Sequence, residues 1–359
     1  MSKKFFFQSL NVKNYRGIRD LSIQNLRRVN IIGGLNGVGK TSILDAIFMM
    51  LARNNLMVLA RPFMVRQSKV PFPNGYDYIF NDLDTSKVVR IFGMANTGEY
   101  EAKINSFLAS AGQFNAPNSF QNNSDITNSS LEASRSVSLR VSTNNNQKYD
   151  EFIFSQPSED NFSVNVKKAN EARTPPAAYV GNIMSNPAED AQKLSILIKD
   201  RRTEKLYKYL RLLYPDLVNL QLLQEGGVPV IYALFSDDSM QQTILLGGGF
   251  QMMLSVALAM MTIKDGVFLF DEIDNTIHHS LLKDFWSLVA RLADDTNGQV
   301  FSVTHSRECI GYAVEGFQLD GRLADLAYFR LEEGLNKTNC ISYDGSDLVE
   351  ALSSDWELR

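Results

Sequence analysis

The chain has 359 residues and a formal net charge of −4, with 36 Lys and Arg against 40 Asp and Glu. This length allows one large domain or two medium ones, and the mildly acidic balance excludes a general attraction to nucleic acid or to an anionic membrane. The two cysteines, Cys309 and Cys340, are too few for a disulfide framework and lack the paired spacing of a zinc site. A cytoplasmic protein is therefore expected.

The predicted elements begin with residues 5–32, where apolar and polar side chains alternate as in strands, followed by a helix from about 40 to 52. Short strand-like runs recur from about 80 to 107. Residues 111–135 are rich in Asn and Ser and have few large apolar side chains, so a mobile loop is predicted there. Helical spacing follows from Pro187 onward.

Strands and helices then alternate to about residue 315, which predicts a parallel sheet covered by helices. Within this region, residues 245–261 (LLGGGFQMMLSVALAMM) are the best candidate for a membrane span. They carry three consecutive glycines and Gln251, and the helix that can follow is shorter than the ~20 residues that cross a bilayer. A buried helix is favoured, and no membrane partner is expected.

The strongest signal is GLNGVGKT in residues 34–41, which satisfies G-x-x-x-x-G-K-[ST] between an apolar strand and a helix. Its glycines allow backbone N–H groups to turn inward around phosphate oxygens, and the helix N-terminus adds its positive dipole end. Lys40 is expected to reach the β- and γ-phosphates, and Thr41 to ligate Mg²⁺. The alternative, a chance glycine turn, does not explain why strand and helix flank the motif.

A second carboxylate-bearing strand is expected in GVFLFDEIDNTIHHS, from Gly266 to Ser280. Asp271 stands at the carboxyl end of a buried parallel strand, where it is predicted to hold Mg²⁺ together with Thr41. Glu272 is suited to polarise the attacking water, because phosphoryl transfer depends mainly on positioning and charge stabilisation. A solvated turn after a strand is the plain alternative.

The same stretch also invites a zinc site built from His278 and His279. The two histidines are adjacent in a predicted first helical turn, so their side chains diverge by about 100° and do not easily face one metal. They are interpreted as helix-start or interface residues.

With these motifs in hand, the chain resembles the ABC-type ATPase heads of the OLD, RecF and SMC group, most closely the OLD-like ATPases of bacterial anti-phage defence. The resemblance rests on NYRGIRDLSIQNLRRVNIIGGLNGVGKTSILDAI, on LLGGGFQMMLSVALAM at the place of the ABC signature, on FDEID, and on SVTHSREC with its switch histidine. It implies a P-loop NTPase of ABC-ATPase type, an α/β fold with a mixed sheet and helices, an antiparallel β lobe and a small helical lobe. The implied cofactors are ATP and Mg²⁺, and the implied nucleotide-binding residues of the loop are Asn36, Gly37, Val38, Gly39, Lys40, Thr41 and Ser42.

Heads of this group sandwich two nucleotides between two protomers, so the resemblance implies a homodimer or a larger homo-oligomer. It also implies that the loop with Asp274 and Asn275 faces the second protomer. The signature is represented by Gly247, Gly248 and Gly249, where Gly247 replaces the usual Ser and removes one hydroxyl donor. His305 is implied as a catalytic residue that contacts the γ-phosphate or the attacking water, and Arg16 as a residue near the nucleotide. For the glutamine that often senses Mg²⁺, only Gln67 is a weak candidate.

The resemblance covers nearly the whole chain, so a single ATPase domain is expected over residues 1–359. Its expected parts are an N-terminal β lobe with the phosphate loop (1–110), a variable Asn/Ser-rich loop and strands (111–175), a helical lobe and strands (176–240), and a lobe with signature, carboxylate strand and switch histidine (241–359).

The favoured role is that of a sensor or regulatory subunit of an anti-phage defence system. The long heptad insert of SMC-type heads is absent between phosphate loop and signature, and only about 50 residues follow the switch helix, too few for a Toprim nuclease. The effector, a nuclease or toxin, is therefore expected on a separate chain. Two alternatives stay open: a RecF-like DNA-maintenance ATPase that binds DNA, and an ATP-locked scaffold that hydrolyses slowly.

Overall fold

The computed structural model describes residues 6–51, 76–108, 135–144, 148–158, 161–168, 174–181, 187–212, 214–335 and 337–354. Gln67 and residues 111–134 of the predicted Asn/Ser-rich loop lie outside these ranges.

The strands, in chain order, are β1 (Phe7–Tyr15), β2 (Ile18–Ile23), β3 (Val29–Gly34), β4 (Val89–Ala95), β5 (Gly98–Leu108), β6 (Arg135–Thr143), β7 (Lys148–Ser158), β8 (Asn161–Lys168), β9 (Ala177–Gly181), β10 (Leu217–Glu225), β11 (Val228–Phe235), β12 (Met240–Gln242), β13 (Val267–Asp271), β14 (Gln299–Val303), β15 (Leu326–Glu333) and β16 (Thr338–Asp344). The α-helices are α1 (Lys40–Leu51), α2 (Pro187–Lys199), α3 (Thr203–Leu210), α4 (Gly248–Thr262), α5 (His279–Asp295), α6 (Arg307–Leu319) and α7 (Gly345–Ser353). Short 3-10 helices span Asp77–Ile79, Asn81–Leu83, Thr243–Leu246, Ile273–Asn275 and Leu323–Asp325.

The central sheet has six strands in the order β16-β15-β3-β14-β13-β9, and all its neighbouring pairs are parallel except β15 with β16. β3 (VNIIGG) and β14 (QVFSV) are buried along their whole length, which agrees with their mainly apolar sequences. Because parallel strands end at the same edge, the residues that follow β3, β13 and β14 come close together there. This edge carries the candidate site.

A seven-stranded antiparallel sheet, in the order β2-β1-β4-β5-β6-β7-β8, packs beside α1. Val12 of β1 pairs with Leu21 of β2 on one side and with Ile91 of β4 on the other. These pairs define the register of the three strands β2, β1 and β4. β10, β11 and β12 form a separate three-stranded antiparallel sheet that packs with α2 and α3.

Two apolar cores lie on opposite faces of the central sheet. Within β3, Ile31 belongs to the core formed by α2 to α7 and the three-stranded sheet, whereas Ile32 belongs to the core formed by α1 and the antiparallel sheet. This alternation is the period-2 pattern of a strand that is covered on both sides. Within the described residues, none of the helices combines the length and apolar character that crossing a bilayer requires.

The predicted α/β fold, with mixed sheet, antiparallel β lobe and small helical lobe, is confirmed. α1 occupies almost the range predicted for the first helix, and the strand-like runs between 80 and 107 are β4 and β5. The helical pattern after Pro187 forms two helices, α2 and α3, because Asp200 to Arg202 leave the helical path and Arg201 has a φ of +54°.

Candidate functional site

The turn between β3 and α1 is the predicted phosphate loop. Gly39 has a φ of +97°, and a Cβ at this position would lie 2.8 Å from Ile18 Cγ1, so both conformation and space require glycine. Leu35, Asn36 and Gly37 are exposed at the rim of the loop. α1 begins at Lys40 directly after the turn, so the strand, turn and helix that the motif predicts are all present.

The ammonium group of Lys40 lies within this loop. Its Nζ donates hydrogen bonds to the carbonyl oxygens of Gly34 and Leu35, at 2.6 and 2.7 Å, and the residue is only 4% exposed. Burial lowers the pKa of Lys40 to about 8, while the charge of Glu272 opposes that shift. Two uncharged carbonyl groups hold the lysine, and an anion in the loop would be a stronger partner.

Thr41 and Asp271 meet across the site. Thr41 Oγ1 donates a hydrogen bond of 3.2 Å to Asp271 Oδ1, although 230 positions separate the two residues in sequence. The other carboxylate oxygen, Asp271 Oδ2, accepts a hydrogen bond of 2.8 Å from the hydroxyl of Tyr179. Tyr179 lies on β9, which runs parallel to β13 with Gly181 beside Asp271. The sequence analysis did not identify Tyr179, because no local motif marks the strand that pairs with β13.

Glu272 follows β13 directly, in a left-handed backbone conformation with a φ of +49°. Its Oε1 lies 3.0 Å from His305 Nε2, and its Oε2 accepts a hydrogen bond of 2.9 Å from Asn275. The backbone N–H of Glu272 donates to the carbonyl oxygen of Val303, the last residue of β14. Left-handed non-glycine residues persist where the surroundings fix them, and such sites are frequently functional. The carboxylate of Glu272 is thus held in place by two side chains and its own backbone.

Asp274 is hydrogen-bonded to the segment that follows β14. The hydroxyl of Thr304 donates a hydrogen bond of 2.7 Å to Asp274 Oδ2, one residue before His305. Burial raises the pKa of Asp274, and the hydrogen bond from Thr304 opposes that shift. The loop after β13 and the residues after β14 therefore form one connected unit.

His278 and His279 stand at the start of α5. His278 is the N-cap, and its Nδ1 accepts a hydrogen bond of 3.4 Å from the backbone N–H of Ser280. The centroids of the two rings lie 4.1 Å apart, and the ring planes are tilted by 37°. Within the described part of the chain, no group of three or more His, Cys, Asp or Glu residues is placed to hold a metal ion.

Arg16 lies at the turn between β1 and β2, next to the phosphate loop. Its Nη1 lies 2.5 Å from Asp45 Oδ2 on α1, and the guanidinium also stands over the rings of Tyr15 and Tyr78, at 4.9 and 5.5 Å from their centroids. The Asp45 side chain is only 3% exposed. The guanidinium is therefore engaged by α1 and two aromatic rings, and Asp45 is a partner that the sequence analysis missed.

The signature glycines lie at the exposed start of α4. Gly247 has a φ of +93° and no atom within 4 Å of a Cβ position, and it precedes the helix without a side-chain cap. Gly249 lies near Thr276 of the loop after β13, whose carbonyl oxygen would be 3.4 Å from a Cβ. Gly247 and Gly248 thus present the uncapped N–H groups of α4 to the surface.

A cavity of about 400 Å³ borders the loop on the α6 side of the central sheet. Its wall includes Asn36 of the loop, His305, Arg307 and Tyr328. A Cβ at Gly33 would lie 2.3 Å from the hydroxyl of Tyr328, so glycine at that position admits the tyrosine ring. The cavity is continuous with the rim of the phosphate loop and with the switch histidine.

A family model described as AAA domain matches residues 9–225, which is more than half of the chain. The chain belongs to the AAA domain family. Membership implies an ATP-binding ATPase, and therefore the use of a nucleotide and, as a rule, of Mg²⁺.

Two curated relatives of this AAA domain protein are uncharacterised proteins of Methanocaldococcus jannaschii. MJECL10 is 44% identical over 45 residues, which are 12% of this chain and 20% of the relative, so the chain spans about a fifth of its length. MJECL11 is 28% identical over 114 residues, which are 32% of this chain and 90% of the relative.

Among solved structures, an SMC head bound to the C-winged helix domain of ScpA is similar to this chain with a TM-score of 0.50 at 15% identity, covering 97% of this chain and 99% of that one. The SMC head domain from Thermotoga maritima gives a TM-score of 0.43 at 14% identity, covering 94% of this chain and 99% of that one. The first likeness shows that this AAA domain protein has the fold of an SMC head.

The residues of the site fit the nucleotide and metal that the family implies. Thr41 and Asp271 place a hydroxyl and a carboxylate oxygen 3.2 Å apart, and oxygen ligands of this kind suit Mg²⁺. Lys40 supplies the cation that phosphate oxygens require, inside a glycine-containing turn that leads into a helix.

Proposed function

We propose that this chain binds ATP with Mg²⁺ in the phosphate loop and hydrolyses it, with Glu272 and His305 as the catalytic residues. One observation carries the proposal. The Thr41–Asp271 pair and the Glu272–His305 pair lie beside the loop at the same edge of the central sheet. The Thr41–Asp271 pair offers oxygen ligands that suit a metal ion. The Glu272–His305 pair offers a carboxylate and an imidazole that can orient a water molecule for attack.

In this proposal residues Asn36 to Ser42 surround the phosphates, and Lys40 exchanges two carbonyl oxygens for oxygens of the β- and γ-phosphates. Thr41 and Asp271 would hold Mg²⁺, which when bound would supply positive charge against the phosphate oxygens. Glu272 orients a water molecule, and His305, 3.0 Å from that carboxylate, would contact the same water or the γ-phosphate. The water oxygen bonds to the γ-phosphorus, the bond to the bridging oxygen breaks, and ADP leaves with the electron pair. Both protons of the water stay with the released phosphate, one on the oxygen that attacked and one transferred to another phosphate oxygen.

The same proposal includes a second copy of the chain. Gly247 to Gly249 of one copy would meet the γ-phosphate bound by the other, through the backbone N–H groups at the start of α4. The exposure of Gly247 and Gly248 and the uncapped helix start support this arrangement. Arg16 would act beside the nucleotide through α1 rather than by direct contact, because its guanidinium pairs with Asp45.

The biological role that we propose is that of a sensor or regulatory subunit in anti-phage defence, which controls a nuclease or toxin on a separate chain. The four motifs that resemble OLD-like ATPases support it. Between α1 and the signature, the two α-helices in the described residues have only 13 and 8 residues, which supports a head without long coiled-coil arms in those segments.

Mixing two inactive variants tests the composite site. Lys40→Met disables the loop, and Gly248→Asp places a carboxylate before the γ-phosphate of the other copy. A Cβ at Gly248 meets only Thr276 Cβ, at 3.9 Å, so the fold has room for this side chain. Each variant alone should be inactive, and an equal mixture should recover up to roughly a quarter of the wild-type ATPase rate, because half the dimers are mixed and each contains one intact site. No recovery would contradict shared sites.

Phage plating tests the biological role. Cells that carry the gene with its native flanking region should reduce plaque counts, and Glu272→Gln should abolish that protection. Glu350→Gln, which changes an exposed carboxylate on α7, is the matched control. Protection that survives in Glu272→Gln cells would contradict a role for ATP hydrolysis in defence.

A further inference from the structure

A carboxylate is buried between α2 and the signature helix α4. Asp190, in the first turn of α2, is 2% exposed. Its Oδ2 accepts a hydrogen bond of 2.5 Å from Ser255 Oγ and one of 3.2 Å from Gln251 Nε2, and both donors belong to α4. A side-chain contact of this kind joins the two helices through directed hydrogen bonds in place of apolar packing alone.

Helix stability does not account for this placement. Acidic residues favour the first turn of a helix because of its dipole, but Glu189, the neighbour of Asp190, meets that preference from an exposed position. The cation nearby, Lys193, lies 2.8 Å from Glu189 Oε1 and 3.8 Å from Asp190 Oδ1. Asp190 is therefore compensated mainly by two uncharged donors on the neighbouring helix.

Burial without a close ion pair is costly for a carboxylate. It raises the pKa of Asp190, and the Ser255 hydrogen bond and the Lys193 charge only oppose that shift. Ala191, Leu194 and Leu197 on the same helix are buried in the apolar core, so an apolar side chain at position 190 would have suitable neighbours. What the carboxylate adds is a fixed geometry between α2 and α4.

The hydrogen bonds of Asp190 hold the N-terminal half of α4, which begins at the signature glycines. Gln251 lies in the first turn of α4, and its backbone N–H donates to the carbonyl oxygen of Gly247 at 3.2 Å. At the other end of α4, only residues 263–266 separate the helix from β13, which carries Asp271. The side chain of Gln251 thus connects Asp190 to the turn that presents the signature glycines.

We infer that Asp190 is a positioning residue, which fixes the signature glycines relative to the helical lobe so that they can meet the γ-phosphate bound by a second copy. This inference rests on the proposed function. Nucleotide binding by the phosphate loop of the same copy does not involve α2. Loss of Asp190 should therefore weaken ATP-dependent pairing and leave ATP binding to the single copy unchanged.

The experiment compares pairing and binding in full-length protein that carries Glu272→Gln to slow hydrolysis. Self-association is measured by sedimentation with and without ATP and Mg²⁺, and ATP affinity by titration at concentrations where the protein is monomeric. Asp190→Ala should weaken pairing about tenfold and Ser255→Ala by a smaller factor, the sizes expected for lost hydrogen bonds to a charged group. ATP affinity should stay within about twofold of the unsubstituted background.

Two controls separate positioning from folding. Glu189→Ala removes an exposed carboxylate on the same turn, and Leu194→Ala weakens the same core without touching the hydrogen bonds. At temperatures below the melting temperature of each variant, both variants should self-associate with ATP as strongly as the background protein does. The inference is overturned if folded Asp190→Ala and Ser255→Ala pair normally, or if Leu194→Ala lowers pairing equally. If the background protein does not pair with ATP at all, the proposed composite site itself is contradicted.

Discussion

The imidazole of His305 and the carboxylate of Glu272 face each other at the edge of the central sheet, with 3.0 Å between Nε2 and Oε1. The two residues follow β14 and β13, which are neighbouring parallel strands. Their contact links the switch histidine to the carboxylate that we propose to orient the attacking water.

His305→Ala should therefore lower kcat by about 10²-fold with little change in KM for ATP, because a group that supports the water-orienting carboxylate acts mainly in the transition state. Steady-state ATPase assays with Mg²⁺ measure both constants. Glu350→Gln, which changes an exposed carboxylate on α7, away from the site, is the control and should retain full activity. A His305→Ala enzyme with unchanged kcat would remove this residue from the catalytic site.

The environment of Lys40 leads us to expect that the protein takes up protons when it binds ATP. Burial lowers its pKa to about 8, whereas the phosphates of bound ATP favour the charged form and raise that pKa again. At pH 8 and above, binding should be coupled to proton uptake, and ATP affinity should decline as the pH rises through the pKa of the free protein. Calorimetric titration in two buffers of different ionisation enthalpy measures the uptake. Binding without proton exchange at pH 8 would contradict the lowered pKa.

The contact of Tyr179 with Asp271 leads us to expect that Tyr179 affects how much Mg²⁺ the ATPase activity requires. Tyr179→Phe removes the hydrogen bond to Asp271 Oδ2, which orients the proposed Mg²⁺ ligand. Loss of such a supporting contact should raise the Mg²⁺ concentration for half-maximal ATPase activity about tenfold. Tyr232→Phe removes a hydroxyl from β11, outside the site, and should leave the Mg²⁺ dependence unchanged. An equal effect of both variants would argue against a specific role for Tyr179.

The ion pair of Arg16 with Asp45 leads us to expect that the two side chains contribute jointly to the stability of the fold. Arg16→Ala leaves the nearly buried carboxylate of Asp45 without its arginine, which should lower the free energy of unfolding by about 3 kcal/mol. Denaturant unfolding of Arg16→Ala, Asp45→Ala and the double variant measures the coupling between the two side chains. Strictly additive losses would show that the pair is not energetically coupled.

Contiguous motifs are what the sequence predicted best. The strand and helix predicted on either side of residues 34–41 are present, and Asp271 ends a buried parallel strand, because local glycine and apolar patterns determine both features. The fold class followed from the alternation of strands and helices.

Partners from distant strands could not be predicted. Tyr179 reaches Asp271 only because β9 is the strand beside β13, and Asp45 meets Arg16 only because the turn between β1 and β2 lies on α1. Such pairings depend on strand order and packing, which local spacing does not encode. The buried contact of Asp190 with α4 was missed for the same reason.

The most direct measurement of the central claim compares ATP binding and Mg²⁺-dependent ATP hydrolysis in the wild-type protein and in Glu272→Gln. We expect both proteins to bind ATP with similar affinity, and Glu272→Gln to hydrolyse it at least about 10²-fold more slowly, because its amide cannot act as a charged water-orienting group. A wild-type protein that does not bind ATP, or a Glu272→Gln variant that hydrolyses it at the wild-type rate, would contradict the proposed site.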